Sequence, residues 1–208
     1  MDNKALFKIS YGLYVLTTNY ENKDNGCIIN TVLQLTSDPL RISVTVNKGN
    51  YTHDLIKDSC VFNISCLTTE TPMSVFEHFG FQSGRNVNKF ENSQEEQRAV
   101  NNVIYIPKYS NAFIACHVVK SIDFGTHTMF IAEVQDAQVL SDKPALTYAY
   151  YQQNIKPKPQ PKAENAAKEL RRWQCQVCGH IYEGYELPDD FVCPVCKHGR
   201  EVFVEIFD

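Results

Sequence analysis

The chain has 208 residues, a formal charge of −4 and 43% hydrophobic content, enough for one medium domain with a packed core and one small one. No basic face or long charge run supports nucleic-acid binding, and no apolar run approaches the ~20 residues a membrane helix needs. The start, MDNKALFKISYGLYVL, has none of the regions of a secretory leader, so a soluble, cytoplasmic protein is expected, with neither nucleic acid nor membrane as partner.

Residues 1–151 read as a string of short strands: LYVLTTN, CIINTVLQLTS, RISVTVN, CVFNISCL, AFIACHVVKSI and TMFIAEVQDAQVL. Several alternate apolar and polar residues, as Arg41 to Val46 do, which predicts one buried face. Asp-Phe-Gly-Thr-His between the last two runs predicts an antiparallel hairpin. Two helices interrupt. NYTHDLIKDS starts at Asn50 or Thr52 as N-cap, and TPMSVFEHFGF opens with Thr-Pro and ends at Gly80. Many strands with few short helices predict a mainly β fold, a small antiparallel barrel. Cys27, Cys60, Cys66 and Cys116 sit singly in apolar runs and are expected as reduced, buried thiols.

There is no GxGxxG and no P-loop, so any nucleotide must be held otherwise. Three polar clusters interrupt the strands. Asn30 and Thr31 are followed along one strand by Gln34, Thr36 and Ser37. Asn47-Lys48-Gly49-Asn50-Tyr51-Thr52 brings a lysine, a glycine turn and a helix start together, which suits a phosphate. Phe81 to Lys89 is a loop with Ser83 and Gly84 flanked by Arg85 and Lys89. Together they could hold a planar, phosphate-bearing ligand; helix capping and loop solubility are the plainer account of the same residues.

Residues 152–170 break the pattern. Pro157, Pro159 and Pro161 among Lys and Gln predict an extended linker, and AENAAKELRR a short helix with Glu164 and Lys168 paired at i, i+4. Residues 171–208 then carry Cys175, Cys178, Cys193 and Cys196 as two CxxC pairs, the spacing of a tetrahedral four-sulfur metal site. Zinc there would be a structural clip, iron a one-electron carrier.

Trp173, Gly179, Tyr182, the run from Leu187 to Cys196 and Phe203 resemble rubredoxin, which implies iron. The loop between the pairs is shorter than in full-length rubredoxins and more like the module appended to rubrerythrins. Lys197 stands where rubredoxins usually have glycine, which predicts strain or a shifted turn. The segments NTVLQLTS, KGNYT and SGRNVNKF, within residues 5–150, resemble the flavin reductase-like family. That resemblance implies an FMN-binding split β-barrel, usually homodimeric. It puts Asn30, Thr31, Thr36 and Ser37 by the isoalloxazine and Lys48, Asn50 and Thr52 near the phosphate or ribityl chain, with Ser83, Arg85 and Lys89 closing the site. His127, in Gly-Thr-His-Thr, is a candidate beside the flavin or nicotinamide, or else a structural turn histidine.

The fusion resembles the high-molecular-weight rubredoxins. It implies NAD(P)H oxidation at FMN and transfer of single electrons through one iron to a terminal acceptor such as a flavodiiron oxygen or nitric oxide reductase. Two alternatives stand beside it: a flavin-binding protein with a structural zinc ribbon, and a reductase that releases its flavin.

Overall fold

A computed structural model describes residues 2–91, 97–157 and 170–207. The chain divides into two compact units, Met1–Lys156 and Pro157–Asp208. The short helix expected over AENAAKELRR, with its Glu164–Lys168 pair, lies almost wholly outside the described residues.

The large unit is built on strands β1 (Tyr14–Tyr20), β2 (Lys23–Ile29), β3 (Val32–Ser37), β4 (Leu40–Asn47) and β5 (Val61–Leu67). Helix α1 (Tyr51–Ser59) lies between β4 and β5, and α2 (Met73–Gly80) follows β5. A two-residue ribbon, β6 (Gln97–Arg98) with β7 (Ile104–Tyr105), precedes the long hairpin β8 (Ser110–Asp123) and β9 (His127–Val139). A short turn α3 (Tyr148–Tyr150) then runs into a π-helical turn, Tyr151–Ile155. The seven-stranded sheet has the order β2-β1-β5-β8-β9-β4-β3, and every pairing in it is antiparallel.

That order forces closure. β2 and β3 are the two edges, yet only Asn30 and Thr31 lie between them. Laid flat, seven strands at ~4.8 Å spacing would part these edges by ~29 Å. The link spans only ~10 Å when extended. The sheet therefore curls until its edges meet, leaving a seam. Its interior bears this out: Ile29 of β2 shares one buried cluster with Ile42, Val44 and Val46 of β4, Leu16, Phe62 and Phe130. Bulges in β8 and β9, between Ala115 and Cys116 and between Val118 and Lys120, supply the bend. Phe62 and Phe130 are almost wholly buried, and truncating either to alanine would cost about 3–5 kcal/mol. A second cluster, with Leu13, Val15, Leu67, Phe76, Phe79, Leu146 and Tyr151, places α2 and the chain after β9 on the outer face.

CIINTVLQLTS is thus two strands on opposite edges rather than one run. Thr31 makes the break. Its hydroxyl donates to the Thr45 carbonyl at 2.6 Å and accepts from the Thr45 N–H at 3.2 Å, so a side chain takes over the role of a ladder bond just before β3 pairs with β4.

The small unit is a three-stranded antiparallel sheet of β10 (Arg171–Cys175), β11 (Ile181–Gly184) and β12 (Phe203–Ile206), in the order β11-β10-β12. Trp173, Tyr182, Phe191 and Phe203 run as a chain of ring contacts, with centroids 4.5–5.8 Å apart. Among the described residues no helix is long and apolar enough to cross a membrane.

Candidate functional site

In the small unit the four cysteine sulfurs all lie within 4.8 Å of one another. Cys175 and Cys196 sulfurs are 3.5 Å apart, as are those of Cys178 and Cys193. Tetrahedral thiolates at ~2.3 Å from a metal stand ~3.8 Å apart, so the cage fits one ion. The two CxxC knuckles fold alike. Gly179 N–H donates to the Cys175 carbonyl at 2.8 Å and Lys197 N–H to the Cys193 carbonyl at 3.0 Å. Both closing residues are left-handed, Gly179 at φ +74° and Lys197 at φ +63°. Lys197 therefore keeps the turn and carries strain; the turn is not shifted.

The thiols resist sharing this space without a cation. Burial opposes ionisation of Cys175, but N–H groups of Cys178 and Val177 and the neighbouring thiols outweigh it and bring its pKa down to about 7. Burial and the facing thiols push Cys178 up to about 12 despite the His180 N–H. A divalent or trivalent ion removes that conflict.

In the large unit, the end of β4, the β8–β9 turn and the start of α1 converge. Lys48 donates to both carboxylate oxygens of Asp123 at 2.7 Å, and its N–H to the Thr126 carbonyl at 3.0 Å. The Lys48 side chain and the Gly125 N–H hold the Asp123 carboxyl below its usual range. His127 is paired with Asn47 across β4 and β9, with Nδ1 2.9 Å from the Thr126 hydroxyl. Asn50 is the N-cap of α1 without a side-chain cap bond; its N–H donates to the Asn47 carbonyl at 3.0 Å and its Nδ2 is 3.9 Å from the Cys27 sulfur, so its side chain does not cap the first turn of the helix. Buried Thr52 accepts from Asn25 Nδ2 at 3.2 Å.

The loop after α2 closes on this end. Gly84 lies so close to the Asn25 side chain that a Cβ there would collide with it. Arg85 reaches Asp54 of α1 at 2.5 Å. Burial works against ionisation of Asp54, yet hydrogen bonds from His53 and Arg85 lower its pKa overall. Lys48, Asn50, Thr52, Ser83, Arg85 and His127 thus come to one end of the barrel.

The other expected residues divide between the seam near the end of β4, the far end of β3–β4, and the interior. Thr31 is at the seam, next to Asn30, whose side chain has no hydrogen bond among the described residues. Thr36 donates to the Pro39 carbonyl at 2.5 Å, and Ser37 pairs with Leu40. Both lie at the opposite end of β3–β4 from Lys48, ~24 Å away along an extended strand. Lys89 does not face the loop's open side. It is buried, and its ammonium donates to the carbonyls of Gly26 at 2.8 Å and Phe79 at 2.9 Å.

Sequence reasoning missed His53. Its ring is buried, with Nδ1 3.0 Å from Asp54 and Nε2 2.9 Å from the Thr128 hydroxyl, so it ties α1 to the start of β9. A histidine on the buried side of a helix gives no local sign of which distant hydroxyl it meets.

Residues 6–158 match the flavin reductase like domain, and residues 173–204 match the rubrerythrin, rubredoxin-like domain. The chain belongs to the flavin reductase-like family. Within this family it is 34% identical to the high molecular weight rubredoxin of Moorella thermoacetica, over 99% of this chain and the whole of that protein. It is 44% identical to the ferric-chelate reductase (NAD(P)H) of Archaeoglobus fulgidus, over 73% of this chain and 89% of that one. An FMN-binding protein of Thermus thermophilus, with bound 1-cyclohex-2-enone, shares the fold with a TM-score of 0.58 at 20% identity, over 64% of this chain and 72% of its own.

Proposed function

We propose that the large unit binds FMN and oxidises NAD(P)H, and that the small unit holds one iron through Cys175, Cys178, Cys193 and Cys196 and passes electrons singly to a terminal acceptor. The observation that carries this reading is the pairing of a flavin reductase-like barrel with a four-thiolate cage in one chain, an arrangement matched end to end by the Moorella relative. When bound, FMN accepts a hydride and yields its electrons one at a time, while iron takes one.

The chain's own residues would do the positioning. Asn50 and the first N–H groups of α1 offer donors and a positive dipole end to the flavin phosphate. Lys48 is held in place by Asp123, and Thr52 by Asn25, so both present fixed groups rather than mobile ones. Asn30 and Thr31 would lie at the edge of the ring system, and Ser83 and Arg85 would cover it. His127 would face the nicotinamide, orienting it without exchanging a proton. The exposed edge strand β3, with Leu33, Leu35 and the adjoining Leu40 uncovered, suits pairing with a second copy, in keeping with a homodimer. A flavodiiron oxygen or nitric oxide reductase is the class of acceptor that such a carrier would serve.

The likeness to a ferric-chelate reductase over the large unit favours a second reading, direct reduction of a ferric chelate without the small unit. One experiment separates them. Absorption spectra of iron-loaded protein are recorded before and after anaerobic NADH, with Cys193→Ser in parallel. Bleaching of both flavin and ferric–thiolate bands supports the relay. Bleaching of flavin alone, with ferric-chelate reduction undiminished in Cys193→Ser, supports the second reading.

A further inference from the structure

Beside the convergence of β4, α1 and the β8–β9 turn lies a hollow of about 390 Å³ between the β1–β2 turn and the loop after α2. Its wall includes Asn22, Lys23, Asp24, Arg85, Asn86 and Asn88. We propose that it is a phosphate subsite, taking a phosphate group of one of the two nucleotides that the reading above brings together; the proposal rests on that reading.

The charges argue for an anion. Asp24 is already neutralised, with Arg98 at 2.7 and 3.0 Å and Asn19 at 2.8 Å. Asp54 takes Arg85 and His53. Lys23 has no carboxylate among the described residues; its ammonium sits 4.6 Å from the centroid of the Tyr51 ring. The Arg85 guanidinium lies 4.7 Å from that same centroid. One aromatic ring thus gathers two cations, of which Arg85 already has a carboxylate in Asp54 while Lys23 has none, so an anion beside Lys23 would complete the balance.

The amides add direction. The side chains of Asn22 and Asn86 make no hydrogen bond among the described residues. Asn88 uses only its oxygen, accepting from the Phe90 N–H at 3.1 Å, so its two N–H donors remain. Amide donors without protein acceptors, around an unpaired lysine and an arginine, are the chemistry of an anion such as a phosphate rather than of a metal ion. The volume admits the phosphate with part of its sugar.

The test measures FMN and riboflavin binding by flavin fluorescence, and KM for NADPH and NADH, on the full chain and on Lys23→Gln and Lys23→Glu. Lys23 is exposed at the start of β2, so neither change disturbs the core. About tenfold weaker FMN binding in Lys23→Gln, the loss expected for one charged hydrogen bond, with riboflavin unchanged, supports the subsite and assigns it to the flavin phosphate. A rise in KM for NADPH alone supports it as a 2′-phosphate site, and a rise for both nicotinamide nucleotides as a pyrophosphate site. If the wild type binds flavin and turns over while Lys23→Glu matches it in every measurement, the subsite is overturned and the function stands. A wild type that takes neither nucleotide overturns both.

Discussion

The ammonium of Lys89 lies 2.8 Å from the carbonyl oxygen of Gly26, inside the protein. With its second bond to the Phe79 carbonyl and the bond its own carbonyl accepts from His78 Nε2 at 2.6 Å, it latches the loop after α2 onto β2. Lys89→Met is expected to cost about 2–4 kcal/mol by urea unfolding, because two buried carbonyls lose a charged donor. Burial lowers the Lys89 pKa, so the folded state sheds this proton at lower pH than the unfolded chain does. The wild type should therefore gain stability relative to Lys89→Met as pH rises from the lowered value toward ~10.4.

Of the four thiols expected to be buried, Cys27 and Cys116 are, while Cys60 and Cys66 are only half-buried; Cys27, Cys66 and Cys116 give the opposite slope. Burial raises Cys27, lifts Cys66 to about 11 and lifts Cys116 to about 12. Above ~8.5 the unfolded chain releases these protons while the folded one keeps them. Stability should fall by about 1.4 kcal/mol per pH unit for each thiol in that window. Denaturant titrations at pH 8, 9 and 10 on Cys116→Ala should show the slope reduced by one thiol's share; an unchanged slope would contradict the assignment.

Cys193 is wholly buried and supplies a quarter of the sulfur cage. Cys193→Ser should abolish the ferric–thiolate absorption of iron-loaded protein and leave flavin binding intact. Retained bands would show that the metal is held elsewhere.

Lys197 occupies a left-handed conformation that costs a side chain ~1–2 kcal/mol, while glycine's extra freedom in the unfolded chain costs ~0.5–1 kcal/mol. Lys197→Gly should stabilise the small unit by up to about 1.5 kcal/mol and slow loss of metal to a chelator. Gly179→Ala, at the matching position of the other knuckle, should do the reverse. Equal chelation rates in all three proteins would remove strain as the cause.

The sequence made the strands, both helices and the cysteine cage legible, since each rests on local pattern: alternation around Arg41–Val46, the Asn50 start of α1, the CxxC spacing. What it hid were choices made over long distances. Nothing near Lys89 says that its charge turns inward to Gly26, 63 residues away in the chain. Nothing near His53 says that its partner is Thr128. The run CIINTVLQLTS carries one continuous β pattern through Asn30 and Thr31, and only the closure of the sheet reveals that its halves belong to opposite edges. For the same reason Thr36 and Ser37, close to Thr31 in the chain, end far from Lys48.

The seam also bears on how the protein is made. As the chain leaves the ribosome, its first 47 residues can complete only the β1–β2 and β3–β4 hairpins. β5 soon joins β1, but the strand that pairs with β4 spans His127–Val139. Until then β4 has an open, hydrophobic flank, and the nascent barrel waits as a half-wrapped sheet. Non-local pairings of this kind fold slowly and leave strand edges open to aggregation, so the interval before residue 139 emerges is when the unpaired flank of β4 is most exposed.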